Sequence, residues 1–312
     1  MKKEDNTTGS SPAYHIPVLL NEMMDALAVK PDGVYVDCTF GGGGHSKALL
    51  KRLSEAGRLL VFDQDADARA NLPDDPRITF MQHNFRHLQR FLRLRQAPQV
   101  DGIMADLGVS SWQFDESERG FSIRYDADLD MRMDKRQETT ASTLLNNYSE
   151  IQLHKLFEQY GEVTNAKTLV RTIAEARKTG LIKTIAGFKQ AVHHIVKGNP
   201  NKYFAQVFQA LRIEVNDELG ALKELLLQVP GALKPGGRVA IISFHSLEDR
   251  LVKNFFKHGD FEDSADKDVF GAPVIAPPLK PITKKPVTPG REELRVNPRS
   301  RSAKMRAAEK KE

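Results

Sequence analysis

At 312 residues, 40% of them apolar, the chain can bury a full core and is long for one domain, so one domain with an insertion, or two domains, is expected. A single cysteine, Cys38, excludes an internal disulfide and a cysteine-built zinc cage, and reads as a small buried hydrophobe. No apolar run is long enough to span a bilayer, and MKKEDNTTGSSP at the start is polar where a signal peptide needs an apolar stretch, so the expected location is cytoplasmic and the membrane is excluded as a partner.

The first hundred residues alternate between helical and extended patterns. Leu19–Leu27 reads as a helix, Gly33–Val36 as a strand, His45–Glu55 as a helix and Arg58–Phe62 as a strand. A short helix at Ala66–Asn71, a strand at Ile78–Met81, a helix at Phe85–Leu94 and a strand at Val100–Ala105 follow. This rhythm predicts a parallel sheet with right-handed crossovers. After Val109 the rhythm stops, and the next strand is Arg238–Phe244, after a turn at Lys234-Pro235-Gly236-Gly237. So long a gap predicts an insertion, and its content is helical: Ser149–Tyr160, Asn165–Lys178, Thr184–Val196 and Ala205–Gln228. The expected division is a discontinuous domain of residues 1–114 and 216–312 around a helical insertion of residues 115–215. Beyond it lie a helix over Ser246–Phe256, a proline-rich stretch APPLKPITKKPVTPG read as irregular, and a basic C-terminal tail. The formal net charge of +5 is concentrated there, in Arg295, Arg299, Arg301, Lys304, Arg306, Lys310 and Lys311. Such a tail either binds a polyanion or merely solvates the terminus.

The strongest chemical signal is VYVDCTFGGGGHS, Val34–Ser46: a strand, four glycines, then a helix. Glycine tolerates positive φ and has no Cβ, so a ligand can approach the backbone at the carboxyl edge of the first strand. The dinucleotide spacing GxGxxG fails, because counting from Gly41 puts Ser46 at the last glycine, and the phosphate loop ending in GK[ST] is absent. Asp63, about twenty residues beyond the glycines, can accept both hydroxyls of an unphosphorylated ribose. Asp65 and Asp67 suit the start of the next helix instead. Phe85 could lie on an adenine face or belong to the core. Asp106 ends the fourth strand at the same edge, where it could accept the amine hydrogens of a cytosine N4 or only hold the cofactor. Ser246 and Asp249 have capping-box spacing, His245 is either a substrate contact or a solvated strand end, and His193 and His194 cannot share one helix face, so no metal is expected.

Together VDCTFGGGGHS, ADLGVSSWQFDESERGFS, LDMRMD, YGE, FQALRIEVNDEL and ISFHSLEDRLVK resemble one family, the bacterial ribosomal RNA small subunit methyltransferase H proteins, also called MraW. The likeness runs from HIPVLLNE at His15 to NPRSRSAKMRAAEK. It implies a Rossmann-like methyltransferase sheet with an inserted helical domain for substrate recognition and S-adenosyl-L-methionine as cofactor. It also implies N4-methylation of a cytosine, position 1402 in standard numbering, in 16S ribosomal RNA within the small ribosomal subunit. Matched residue by residue, it implies cofactor contacts at Gly43, Gly44, His45, Asp63, Phe85, Asp106 and Gln113, with Asp106 also the catalytic candidate. Trp112 departs from the family's usual proline, which bears on how Gln113 is aimed, and GNPNKYFAQVFQA departs from the commoner form. The rivals are a nicotinamide dehydrogenase, a DNA amino-methyltransferase, whose two prolines after the acid are absent at Asp106-Leu107-Gly108-Val109, and a catalytically silent RNA-binding assembly factor.

Overall fold

A computed structural model describes residues 17–262 and 277–311, so MKKEDNTTGSSP, His15 and the last residue of the basic segment lie outside the described residues. In chain order the elements are α1 Leu20–Leu27, β1 Val34–Asp37, α2 Gly44–Leu50, β2 Arg58–Phe62, β3 Ile78–Met81, α3 Leu88–Leu94 and β4 Val100–Asp106. Then come α4 Ser111–Asp115, α5 Ala141–Asn147, α6 Glu150–Gln159, α7 Ala166–Thr179, α8 Ile185–Val192, α9 Pro200–Asn216 and α10 Glu218–Ala232. The chain closes with β5 Leu233–Ser243, α11 Ser246–His258, β6 Leu279–Pro281, α12 Arg291–Val296 and β7 Lys304–Lys310.

The seven strands form one sheet in the order β3-β2-β1-β4-β5-β7-β6. The first five are parallel, as the alternation predicted, while β7 runs antiparallel to both β5 and β6. The strands are apolar on both faces because both are covered. Along β2, Leu60 and Phe62 join the core under α3, α10 and α11, while Leu59 and Val61 join the core under α1 and α2. This is the Rossmann-like α/β architecture expected of a methyltransferase. The order turns back between β1 and β4, which opens a crevice at their carboxyl ends, the usual ligand position in such sheets.

A third apolar cluster, from Phe121 to Val215, gathers α5 to α9 around Phe157, Phe188, Val207 and Leu211. Here the sequence expectation of one helix over Ala205–Gln228 is corrected. Asp217 is left-handed at φ 46° and separates α9 from α10, so α9 packs in this cluster while Leu222, Leu226 and Val229 of α10 pack under the sheet.

The C-terminal segment corrects the expectation of a basic tail. β7 pairs with β5 from Arg238↔Glu309 to Ser243↔Lys304, and Met305, Ala307 and Ala308 are buried in it. Arg306 is held by Asp249 at 2.6 Å, so this cation serves an internal ion pair. β6 lies inside the stretch read as irregular. The strand expected at Arg238 begins at Leu233: Val100 pairs with Leu233 and Gly102 with Arg238, so the Pro235-Gly236 segment bulges out, with Gly236 at φ 70°. The cap expected at Ser246 and Asp249 belongs to His245 and Glu248.

Burying Met305 alone contributes roughly 1.5–3 kcal/mol, and β7 also satisfies ladder groups of two neighbours. A chain ending at Ser302 is therefore expected to lose its cooperative thermal transition, followed by circular dichroism, rather than to lose RNA affinity alone. A full-length melting temperature in the truncated chain would contradict this. No helix among the described residues is long and apolar enough to cross a membrane.

Candidate functional site

The crevice holds a cavity of about 690 Å³, within the range of roughly 300–1,000 Å³ usual for small-ligand sites. Its floor is the glycine loop. Gly41, at φ 49°, donates its N–H to Asp63 Oδ2 at 2.8 Å and its carbonyl accepts from the Asn71 side chain. Gly43, at φ 72°, turns the chain into α2; it stands off the cavity wall, which Gly41, Gly42, Gly44 and His45 line. A side chain on Gly44 would meet Pro17 at 2.3 Å, whereas a Cβ on Gly42 would enter open space. The loop is clamped from below by buried Asp37, which accepts from Ser46 Oγ at 2.7 Å and from the Thr39 N–H. Burial pushes the Asp37 carboxyl above its ordinary value. Asp37 went unremarked in the sequence, although its position at the end of the first strand was a usable signal.

Asp63 follows β2, as the spacing from the glycines predicted. Each of its oxygens takes one backbone N–H, from Gly41 and from Asp65, which leaves each a lone pair directed elsewhere. Burial raises its pKa to about 6. Asp65 caps the following turn by accepting from the Asp67 N–H. It also meets Arg119 at 2.9 Å and accepts from Gln113 Nε2 at 2.7 Å. Gln113 lines the cavity, but its amide oxygen accepts from the Ser110 N–H in a capping box, so both ends of the side chain are bound within the protein. Arg119 spans Asp65, Asp67 and the carbonyl of Arg132, and sequence patterning gave no sign of it because the partners lie far apart in the chain.

Asp106 ends β4 on the opposite side of the glycine loop, its N–H donated to Thr39 Oγ1 at 2.6 Å. Its Oδ1 is buried without a hydrogen-bond partner, while Oδ2 lies 3.7 Å from His45 Nδ1. His45 Nε2 is 2.9 Å from the Val18 carbonyl, which can only accept, so Nε2 carries the proton and Nδ1 is turned toward Asp106. Although 28% of the Asp106 side chain is accessible, desolvation by the surrounding protein raises its pKa to about 6, against a smaller lowering by His45.

Phe85 lines the cavity and packs on the core beneath. On the far wall Arg212 grips Glu218 through two bonds of 2.8 and 2.9 Å. Glu248 accepts from the Phe244 N–H and lies 3.3 Å from His245 Nε2. Glu218, His245 and Glu248 bring metal-ligand types within 4.8 Å of one another, but Arg212 neutralises Glu218 and Glu248 Oε2 already serves the α11 cap. His245 is a capping residue rather than a solvated strand end. His193 and His194 lie on a turn away from the cavity.

A family model described as the MraW methylase family matches residues 12–311. The chain belongs to that family. Among its relatives is the ribosomal RNA small subunit methyltransferase H of Bacteroides fragilis strain YCH46, 51% identical over 310 residues, which cover 99% of this chain and 100% of that protein. The protein of the same name in Bacteroides thetaiotaomicron is 52% identical over 299 residues, 96% of this chain and 98% of that one. The one in Amoebophilus asiaticus is 52% identical over 303 residues, 96% and 97% of the two chains. MraW similarity therefore spans the α5–α9 cluster and β7 as well as the glycine loop.

Proposed function

We propose that this protein transfers the methyl group of S-adenosyl-L-methionine to the N4 amine of a cytosine in 16S ribosomal RNA, position 1402 in standard numbering, within the small ribosomal subunit in the cytoplasm. Residues 1–114 and 216–312 act as the methyltransferase domain, and residues 115–215 as a helical domain that recognises the RNA. The observation that carries the reading is the partly accessible Asp106 carboxylate, which lines one cavity together with the glycine loop and Asp63.

The cavity fits the cofactor on the chemistry of its donors. Gly42 leaves open space for a ligand against the backbone, Asp63 keeps a lone pair on each oxygen for a ribose diol, and Phe85 offers an apolar face to the adenine. The cofactor supplies an electrophilic methyl group. Cytosine N4 is a weak nucleophile because its lone pair is delocalised into the ring, so the protein's task is to hold the amine and take its hydrogen. The accessible part of the Asp106 carboxylate accepts one amine hydrogen, and after transfer the same carboxylate takes the proton that the methylated nitrogen sheds. His45, anchored on Val18, stands beside this carboxylate with Nδ1 3.7 Å from Oδ2.

Asp106 must be ionised for this, so transfer is expected to fall as the pH drops through about 6, where both Asp106 and Asp63 become protonated. Unfolding does not explain such a loss. Both carboxyls are raised above 3.8 by folding, so their contribution to stability is complete below 3.8 and is lost as the pH rises through about 6. Acids held low, such as Asp75 beside Arg77, weaken the fold only below 3.8. A kcat/KM profile flat down to pH 5 would remove Asp106 as the base. The function itself is tested by tritium transfer from labelled S-adenosyl-L-methionine to 16S RNA and to small subunits. Label in N4-methylcytidine after digestion is expected, and its absence from both substrates refutes the reading.

A further inference from the structure

The cavity mouth carries a tryptophan that none of the chemistry above uses. Trp112 lines the cavity yet is 46% exposed, an unusual state for the largest apolar side chain. Its short helix is fixed: the Ser110 and Gln113 side chains close a capping box, and Gln113 also bonds Asp65. Behind the indole lies the Arg119 guanidinium, 5.8 Å from the ring centroid. That guanidinium is only 6% exposed and is tied to Asp65, Asp67 and the Arg132 carbonyl, so it cannot swing away. The ring is thus backed by an immobilised cation while 46% of the residue stays exposed. Two further cationic side chains, Arg124 and Arg299, line the same cavity; Arg299 is paired with Asp115 and sits 5.4 Å over Phe114.

A rigid, half-open aromatic surface beside guanidinium groups suits a nucleobase joined to a phosphate backbone. Stacking draws on the π-face that every base has, and Arg124 at the same cavity meets the charge. A buried core tryptophan needs no open face, and a ligand that was only a nucleoside needs no surface outside the cavity. Resting on the RNA methylation proposed above, we infer that Trp112 is the stacking platform for the nucleotide adjoining the cytosine that enters the cavity. Holding that neighbour on Trp112 favours the unstacked conformation in which the target base is free to turn inward.

Trp112 is the chain's single tryptophan, so its emission reports this position alone. The probe is a short single-stranded RNA with one cytosine between purines, its binding followed separately by filter retention. Emission is expected to be quenched as the RNA binds. Trp112→Ala is expected to raise KM for small subunits roughly tenfold while kcat and cofactor affinity stay as in the wild type, and Trp112→Phe to recover most of the loss. An abasic site beside the cytosine should weaken the wild type and leave Trp112→Ala unaffected. RNA retained with unchanged emission, an unchanged KM in Trp112→Ala, or a loss of cofactor affinity in place of RNA affinity overturns the assignment alone, since methyl transfer then still proceeds. No RNA binding and no transfer by the wild type overturns both the assignment and the function it rests on.

Discussion

Asp106→Asn is expected to lose methyl transfer roughly 10²- to 10⁴-fold, the usual contribution of a positioned acid or base, while binding S-adenosyl-L-methionine nearly as well as the wild type. The substitution keeps the size of a side chain whose Oδ1 is buried and unpartnered, so packing around β4 is preserved. It replaces an acceptor with an amide that presents hydrogens either to the substrate amine or to His45 Nδ1, 3.7 Å from the other oxygen. An amide also cannot take up the proton released by the methylated nitrogen. The measurement pairs calorimetry of the cofactor with single-turnover transfer at saturating cofactor. Near-normal transfer at saturation, with weakened cofactor binding, would reassign Asp106 to holding the cofactor.

Asp63→Ala is expected to weaken S-adenosyl-L-methionine about a hundredfold or more. Two hydrogen bonds from a ribose to a charged acceptor contribute about 1.5–3 kcal/mol each, but removing a carboxylate whose burial already raises its pKa to about 6 recovers part of that. The change also strips the Gly41 and Asp65 N–H groups of their acceptor, so the glycine loop loosens. Asp63→Asn separates the two effects, because it retains an oxygen for one of these N–H groups. Its melting temperature should lie between those of Asp63→Ala and the wild type, while its cofactor affinity stays low. A folded Asp63→Ala protein with wild-type affinity would exclude Asp63 as the ribose acceptor.

Local pattern made the catalytic half of the sheet legible. β1, β2 and β4 are rich in apolar residues because both faces are buried, and the four glycines between strand and helix serve the positive φ of Gly41 and Gly43, the Pro17 contact of Gly44 and the open space at Gly42. Asp63 and Asp106 could be found because strand ends point to one edge. The failures have physical causes as well. KMRAAEK has little strand propensity, and its charges dominated the reading, yet Met305 and two alanines suffice to bury it between two neighbours. The break at Asp217 carries neither glycine nor proline, and only the divergence of two cores reveals it. Gln113 was legible by motif, but its use in bonding Ser110 and Asp65 depends on contacts across 48 residues of chain.

The position of β7 also bears on how the protein comes into being. This strand is the last described element of the chain, yet it lies between β5 and β6 instead of at a free margin. During synthesis β1 to β5 emerge and can pair among themselves, but β5 waits with one side open until residues 304–310 have left the ribosome. An open strand side is a template for misassociation, and the pairing of residues 304–309 is what protects it. A chain that lacks residues 304–310 therefore leaves one side of β5 unpaired and open to edge-to-edge association.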